Sequence, residues 1–197
     1  MTFRLGLTGS IGMGKSTTAA MFADFGCDLW DADAAVHRLY AQGGAAVAPV
    51  SAVFPGALVD GAINRAALRD IVTGTSDALN TLESIVHPLV AQDRAEFVVT
   101  ATADIIVFDI PLLFETGAEH GMDAVACVTV DPAIQRERVL ARGKMSAEQF
   151  EHILSKQMSN AEKCKRADFV IVTDTLDHAR QQVQTVVADI RAGLSDA

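Results

Sequence analysis

Gly9-Ser10-Ile11-Gly12-Met13-Gly14-Lys15-Ser16 decides the fold. It fits G-x-x-x-x-G-K-[ST], the Walker A or P-loop pattern. Glycines let the backbone turn its N–H groups inward and approach phosphates closely. Lysine supplies a point charge at the β/γ-phosphates, and the serine hydroxyl can ligate Mg²⁺. The flanks give the required context. Residues 3–8 read as a short apolar strand, and residues 16–25 as a helix closed by Gly26. A phosphate at that helix N-terminus meets free N–H donors and the positive end of the helix dipole.

Outward from the loop, strands alternate with helices. Residues 27–30 form a second predicted strand, ended by Asp31-Ala32-Asp33; residues 105–108 and 124–130 form continuous apolar strands, and residues 169–172 the last. Helices are expected over 132–142, with Pro132 in an N1-like place, and over 176–191. Ser146-x-x-Gln149 and Ser159-x-x-Glu162 read as capping boxes opening two more helices. Uninterrupted apolar strands suit a parallel sheet covered on both faces. The fold class is therefore α/β, a doubly wound, five-stranded parallel sheet carrying a P-loop, the P-loop kinase type being one of the two classes weighed below. Between Ala34 and Ala103 helical periodicity dominates, with breaks expected at Gly43-Gly44, Pro55-Gly56, Gly74 and His87-Pro88. The expected organisation over 1–197 is one domain: a core of 1–33 and 104–197, a helical insertion of 34–103, and a lid at about 139–166.

Composition narrows the function. A net charge of −9 in 197 residues leaves no basic face for a nucleic-acid backbone, so nucleic acid is not the expected partner. Residues 39–59 lack charge, but Gly43, Gly44, Pro49, Pro55 and Gly56 break the stretch, and no membrane span or signal peptide is expected. Cys27, Cys127 and Cys164 are odd in number without metal-type spacing, which suggests idle thiols in the cytoplasm. No heptad run is present, and a monomer is expected.

Two classes of P-loop protein compete: a small-molecule kinase, and a switch or ATPase that hydrolyses nucleotide without an acceptor. Neither D-x-x-G after a strand nor N-K-x-D is found, and Asp24-Phe25-Gly26 ends a helix rather than forming a kinase metal motif. Acidic residues at strand ends favour the kinase, because ligands of such sheets bind beyond the carboxyl ends of the strands. Those residues are Asp31, Asp33 and Asp109. A carboxylate there can take the proton of an attacking hydroxyl. For Asp33 the alternative role is an N-cap, and for Asp31 a turn residue. Arg136, Arg138, Arg142 and Lys144 form a cationic cluster on a helix and the loop beyond it, with Gly143 as a hinge, suited to closing over a triphosphate. Arg138 and Arg142, four apart, share a helix face; Arg136 does not.

Read together, these features resemble the dephospho-coenzyme A kinase family over essentially the whole chain. The carriers are Leu7 through Ser16, Asp31-Ala32-Asp33, Ile63-Asn64-Arg65-Ala66-Ala67-Leu68, His87-Pro88-Leu89, Asp109-Ile110-Pro111-Leu112-Leu113-Phe114-Glu115, the Gln135 to Arg142 segment, and Gln157 followed by Ala167-Asp168-Phe169-Val170-Ile171. The resemblance implies ATP and Mg²⁺, with phosphorylation of the ribose 3′-hydroxyl of dephospho-coenzyme A to give coenzyme A and ADP. It implies Asp33 as base with Lys15 and Arg142 catalytic, and nucleotide contacts from Gly9, Ser10, Ile11, Gly12, Met13, Gly14, Lys15, Ser16, Thr17, Arg138 and Arg142. Ser16 is the implied Mg²⁺ ligand, helped by waters. Acceptor contacts fall on Thr8, Asp33, Arg65, His87, Asp109, Leu113 and Glu115. Three departures stand out: Ser10 for a usual glycine, Met13 for a usual small residue, and Thr173-Asp174-Thr175 where the family often has Asn and Gly near the adenine.

Overall fold

The computed structural model describes residues 2–73, 76–143 and 145–195, so the expected break at Gly74 and the cation Lys144 lie outside the described residues. In chain order the elements are β1 (Phe3–Thr8), α1 (Lys15–Asp24), β2 (Asp28–Asp31), α2 (Ala32–Tyr40), α3 (Val47–Val53), β3 (Leu58–Val59), β4 (Ala62–Ile63), α4 (Arg65–Val72) and α5 (Ser76–Thr100). They continue with β5 (Ile105–Asp109), β6 (Ala124–Thr129), α6 (Pro132–Ala141), α7 (Ala147–Lys156), α8 (Asn160–Arg166), β7 (Phe169–Val172) and α9 (Leu176–Ser195). Contacts divide the chain into two compact units, one running up to Trp30 and again from Ala101 onward, the other Asp31–Thr100.

In the first unit, among the described residues, five strands make a parallel sheet in the order β2-β5-β1-β6-β7. β1 is the central strand, paired along both edges: Leu5 pairs with Val107 on one side and Ala124 on the other. Leu5, Leu7, Val107, Ala126, Val128 and Ile171 meet Ala19 and Phe22 of α1. Against the same cluster α9 lays Ala179, Val183, Val186, Val187 and Ile190, the spacing of one helical stripe. Cys27 joins this core, and burial pushes its thiol up to about 11. All five strands run the same way, so within this unit Thr8, Asp109, Thr129 and Val172 end at a common edge.

The second unit packs Leu39, Tyr40, Val50, Phe54, Ile63, Leu68 and Val86 into its own cluster. Two features here depart from expectation. β3 and β4 form an antiparallel hairpin turned by Asp60 and Gly61, both at positive φ. And His87-Pro88 breaks nothing: α5 runs through Pro88. Proline in a helix interior costs about 3 kcal/mol. Burial of Leu82, Ile85, Val86, Leu89 and Val90 along the same helix offsets it.

Candidate active site

The phosphate loop joins β1 to α1. Gly12 and Gly14 have φ of 80° and 89°, where a side chain would be strained. A Cβ on Gly12 would also stand 2.5 Å from Val139 Cγ2. The loop's carbonyls are tied from behind: Gln135 Nε2 donates to Ile11 O at 2.7 Å, and Thr173 Oγ1 to Met13 O at 2.8 Å. At the loop's start, Ser10 N donates to Asn160 Oδ1 at 3.0 Å. α1 has no side-chain cap and no acidic residue in its first turn. Its N–H groups at Lys15, Ser16 and Thr17 have no intrahelical acceptor, so an anion is the partner this terminus suits.

Both departures inside the loop are accommodated by burial. Ser10 and Met13 are each 4% exposed, and Met13 Sδ accepts from Val130 N at 3.2 Å. Lys15 Nζ is paired with Asp109, the last residue of β5, whose side chain is 2% exposed. An ammonium has three donors, so Lys15 can keep Asp109 and still reach a phosphate.

A recess of about 260 Å³ opens beside the loop, lined by Gly12, Gly14, Thr17, Arg138, Arg142 and residues 173–176 among others. The two arginines are not equivalent. Arg138 donates to Thr173 O at 2.7 Å and Asp174 O at 3.2 Å, which fixes the segment after β7. Arg142, the exposed C-cap of α6, makes no hydrogen bond or ion pair among the described residues. Arg136 points away and pairs with Glu151 of α7. Asp174, held below the usual carboxylate range by its hydrogen bond from His178, lines the recess in the departing Thr173-Asp174-Thr175 stretch.

The stretch after β5 is anchored rather than free. Thr8 Oγ1 donates to Pro111 O at 3.1 Å. Leu113 is fully buried over Gly6, so the apolar surface expected from this stretch comes from Leu112, 41% exposed. Glu115 accepts from Met158 N at 2.9 Å and pairs with Lys163 at 2.9 Å.

The remaining expected residues belong to the second unit. Asp31, not Asp33, is the N-cap of α2, its Oδ1 accepting from Ala34 N at 2.9 Å. Asp33 lies in the first helical turn, exposed. Arg65 opens α4 behind the Asn64 cap and lies near Tyr40, and His87 is exposed on α5. Among the described residues the side chains of Asp33, Arg65 and His87 make no hydrogen bond or ion pair, so all three are available to a ligand.

Sequence reading missed Gln135, Asn160 and Lys163 as site-building residues. Asn160 follows a legible helix start at Ser159, but its reach to a loop 150 residues earlier leaves no local trace.

A parallel sheet with its phosphate loop after the central strand, a Lys15–Asp109 pair and an arginine-lined recess defines a P-loop protein of the kinase type. A family model for dephospho-CoA kinase matches residues 3–178. The chain is 68% identical over 193 residues to the dephospho-CoA kinase of Ruegeria pomeroyi, covering 98% of each chain. Among solved structures it is similar to TT1252 from Thermus thermophilus, with a TM-score of 0.87 and 31% identity over 95% of this chain and 97% of the other. It shares its fold with dephospho-CoA kinase from Campylobacter jejuni, TM-score 0.65 and 23% identity over 96% and 97% of the two chains. The chain belongs to the dephospho-CoA kinase family.

Proposed function

We propose that this chain transfers the γ-phosphoryl group of ATP to the ribose 3′-hydroxyl of dephospho-coenzyme A, releasing coenzyme A and ADP. The observation that carries this reading is the uncapped α1 terminus with Lys15 held against Asp109, beside the recess of Arg138 and Arg142, in a chain of this family. The N–H groups of α1 and the Lys15 ammonium take the charge of the β/γ-phosphates. Asp33 accepts the proton of the attacking hydroxyl as its oxygen bonds to the γ-phosphorus and the bond to the β-bridging oxygen breaks. Arg65 and His87 offer polar contacts to the coenzyme, with the stretch of Asp109, Leu112 and Glu115 bordering the acceptor.

Among the described residues no cluster of three or more His, Cys, Asp or Glu could cage a metal. Mg²⁺ would be held through nucleotide phosphates and water, with the Ser16 hydroxyl as the protein ligand. When bound, the ion would offset charge on the β- and γ-oxygens. The free thiols of Cys27, Cys127 and Cys164 support a cytoplasmic setting. Among the described residues no helix is long and apolar enough to cross a membrane.

A panel of acceptors read by ADP release tests the reading. Dephospho-coenzyme A should be turned over far faster than AMP, CMP or shikimate. Best turnover of one of those makes the chain a kinase of another small molecule, and equal ADP release without any acceptor makes it an ATPase.

The two recess arginines should separate kinetically. Arg142→Ala should lower kcat about a hundredfold, the typical loss of one preorganised donor, with little change in dephospho-coenzyme A binding. Arg138→Ala, which releases the 173–174 carbonyls, should chiefly raise KM for ATP. Steady-state kinetics of each single variant check this; an unchanged Arg142→Ala enzyme refutes the assignment.

A further inference from the structure

Lys163 of α8 is fully buried, yet none of the chemistry above uses it. Burying an ammonium is expensive, and an apolar side chain of similar volume would pack there without that penalty. What lysine adds is direction. Its Nζ donates to Pro111 O at 2.8 Å and pairs with Glu115 at 2.9 Å, so one nitrogen holds two points of the stretch after β5.

The neighbourhood reinforces that grip. Met158 N also donates to Glu115, and Arg166 pairs with Glu119 at 2.6 Å while lying 4.4 Å from the centroid of the Phe114 ring. One turn before Lys163 on the same helix, Asn160 holds the start of the phosphate loop. α8 therefore grasps the phosphate loop and the 110–119 stretch together. Two buried oxygens at this junction, Gln157 Oε1 and Glu119 Oε2, have no hydrogen-bond partner among the described residues.

We propose that Lys163 is a positioning residue for phosphoryl transfer: through Glu115 and the Pro111 carbonyl it fixes the 110–115 stretch, and with it the acceptor, against the phosphate loop. This rests on the reading above that the 110–115 stretch borders dephospho-coenzyme A.

Lys163→Met keeps length and apolar bulk but removes both directed bonds. A displacement of about 1 Å at a reacting centre costs roughly a hundredfold in rate. The variant should therefore lose about a hundredfold in kcat/KM for dephospho-coenzyme A, with binding of a fluorescent ATP analogue within about twofold of wild type. Arg166→Met, at a partly exposed side chain, should lose about tenfold in the same parameter; it decides the matter if Lys163→Met does not fold. Acceptor kinetics unchanged in the folded variants, or acceptor and ATP parameters falling together as loss of folded protein would give, overturns the proposal. Leu112→Asp, run beside them, separates the premises. If it disturbs acceptor kinetics and Lys163→Met does not, only the role of Lys163 falls. If neither disturbs them while wild type still phosphorylates dephospho-coenzyme A, the placement of the acceptor falls too and the activity stands.

Discussion

Lys15→Ala should lose about 3 kcal/mol or more of transition-state stabilisation, a hundredfold or greater fall in turnover. In the proposed transfer, charge builds on phosphate oxygens that this ammonium would face, and water entering in its place reorients rather than standing preorganised. The structure adds a consequence for stability. Lys15 is paired with Asp109, whose side chain is 2% exposed, so truncation takes a cation away from a buried carboxylate. A drop in Tm should accompany the loss of activity. Asp109→Asn in the Lys15→Ala background should recover part of that Tm and none of the turnover, because the amide removes the buried charge without replacing the phosphate contact. Near-normal turnover by a folded Lys15→Ala protein would sink the phosphate-loop assignment.

Asp33→Asn should lower kcat by about a hundred- to ten-thousandfold while both substrates still bind. The structure sharpens this test, because the capping role that competed for Asp33 belongs to Asp31. Asparagine at Asp33 gives up only a favourable charge in the first turn of α2, about 0.3–1 kcal/mol. Asp31→Ala supplies the opposite pattern: loss of the Ala34 N–H acceptor should cost about 1 kcal/mol of stability. Thermal unfolding and steady-state kinetics on both variants separate chemistry from capping. A folded Asp33→Asn enzyme within a few fold of wild-type kcat would return the base to the open question of Asp31 or Asp109.

What could be read without coordinates was local or strongly patterned. The phosphate loop announces itself through glycine spacing between an apolar strand and a helix. β5 and β6 are continuous apolar runs, which suit a parallel sheet covered on both faces. The Ser146 capping box is present with both of its hydrogen bonds, and Ser159 caps α8 by accepting from Glu162 N. The hairpin of β3 and β4 was legible in principle from Asp60-Gly61, but two-residue strands give no alternation to support the turn. Pro88 misled because a local penalty was weighed without the apolar stripe that overrides it. Leu113 misled because an exposed leucine and a buried one look alike in sequence; Gly6 beneath it makes the space it fills.

Within the site, residue types were readable and partnerships were not. Arg138 and Arg142 share a face by spacing alone, yet only the structure shows that Arg138 is committed to the 173–174 carbonyls. Lys163, Gln135 and Asn160 act over long sequence separations, and nothing in their own surroundings marks them.

The central claim is transfer from ATP to one particular hydroxyl, and the position of the new phosphate tests it most directly. Dephospho-coenzyme A incubated with the protein, ATP and Mg²⁺ should give a product whose phosphorus–proton NMR correlation runs to the ribose H3′, in an amount equal to the ADP released. A correlation to H2′, or ADP accompanied by inorganic phosphate with the acceptor unchanged, would contradict it.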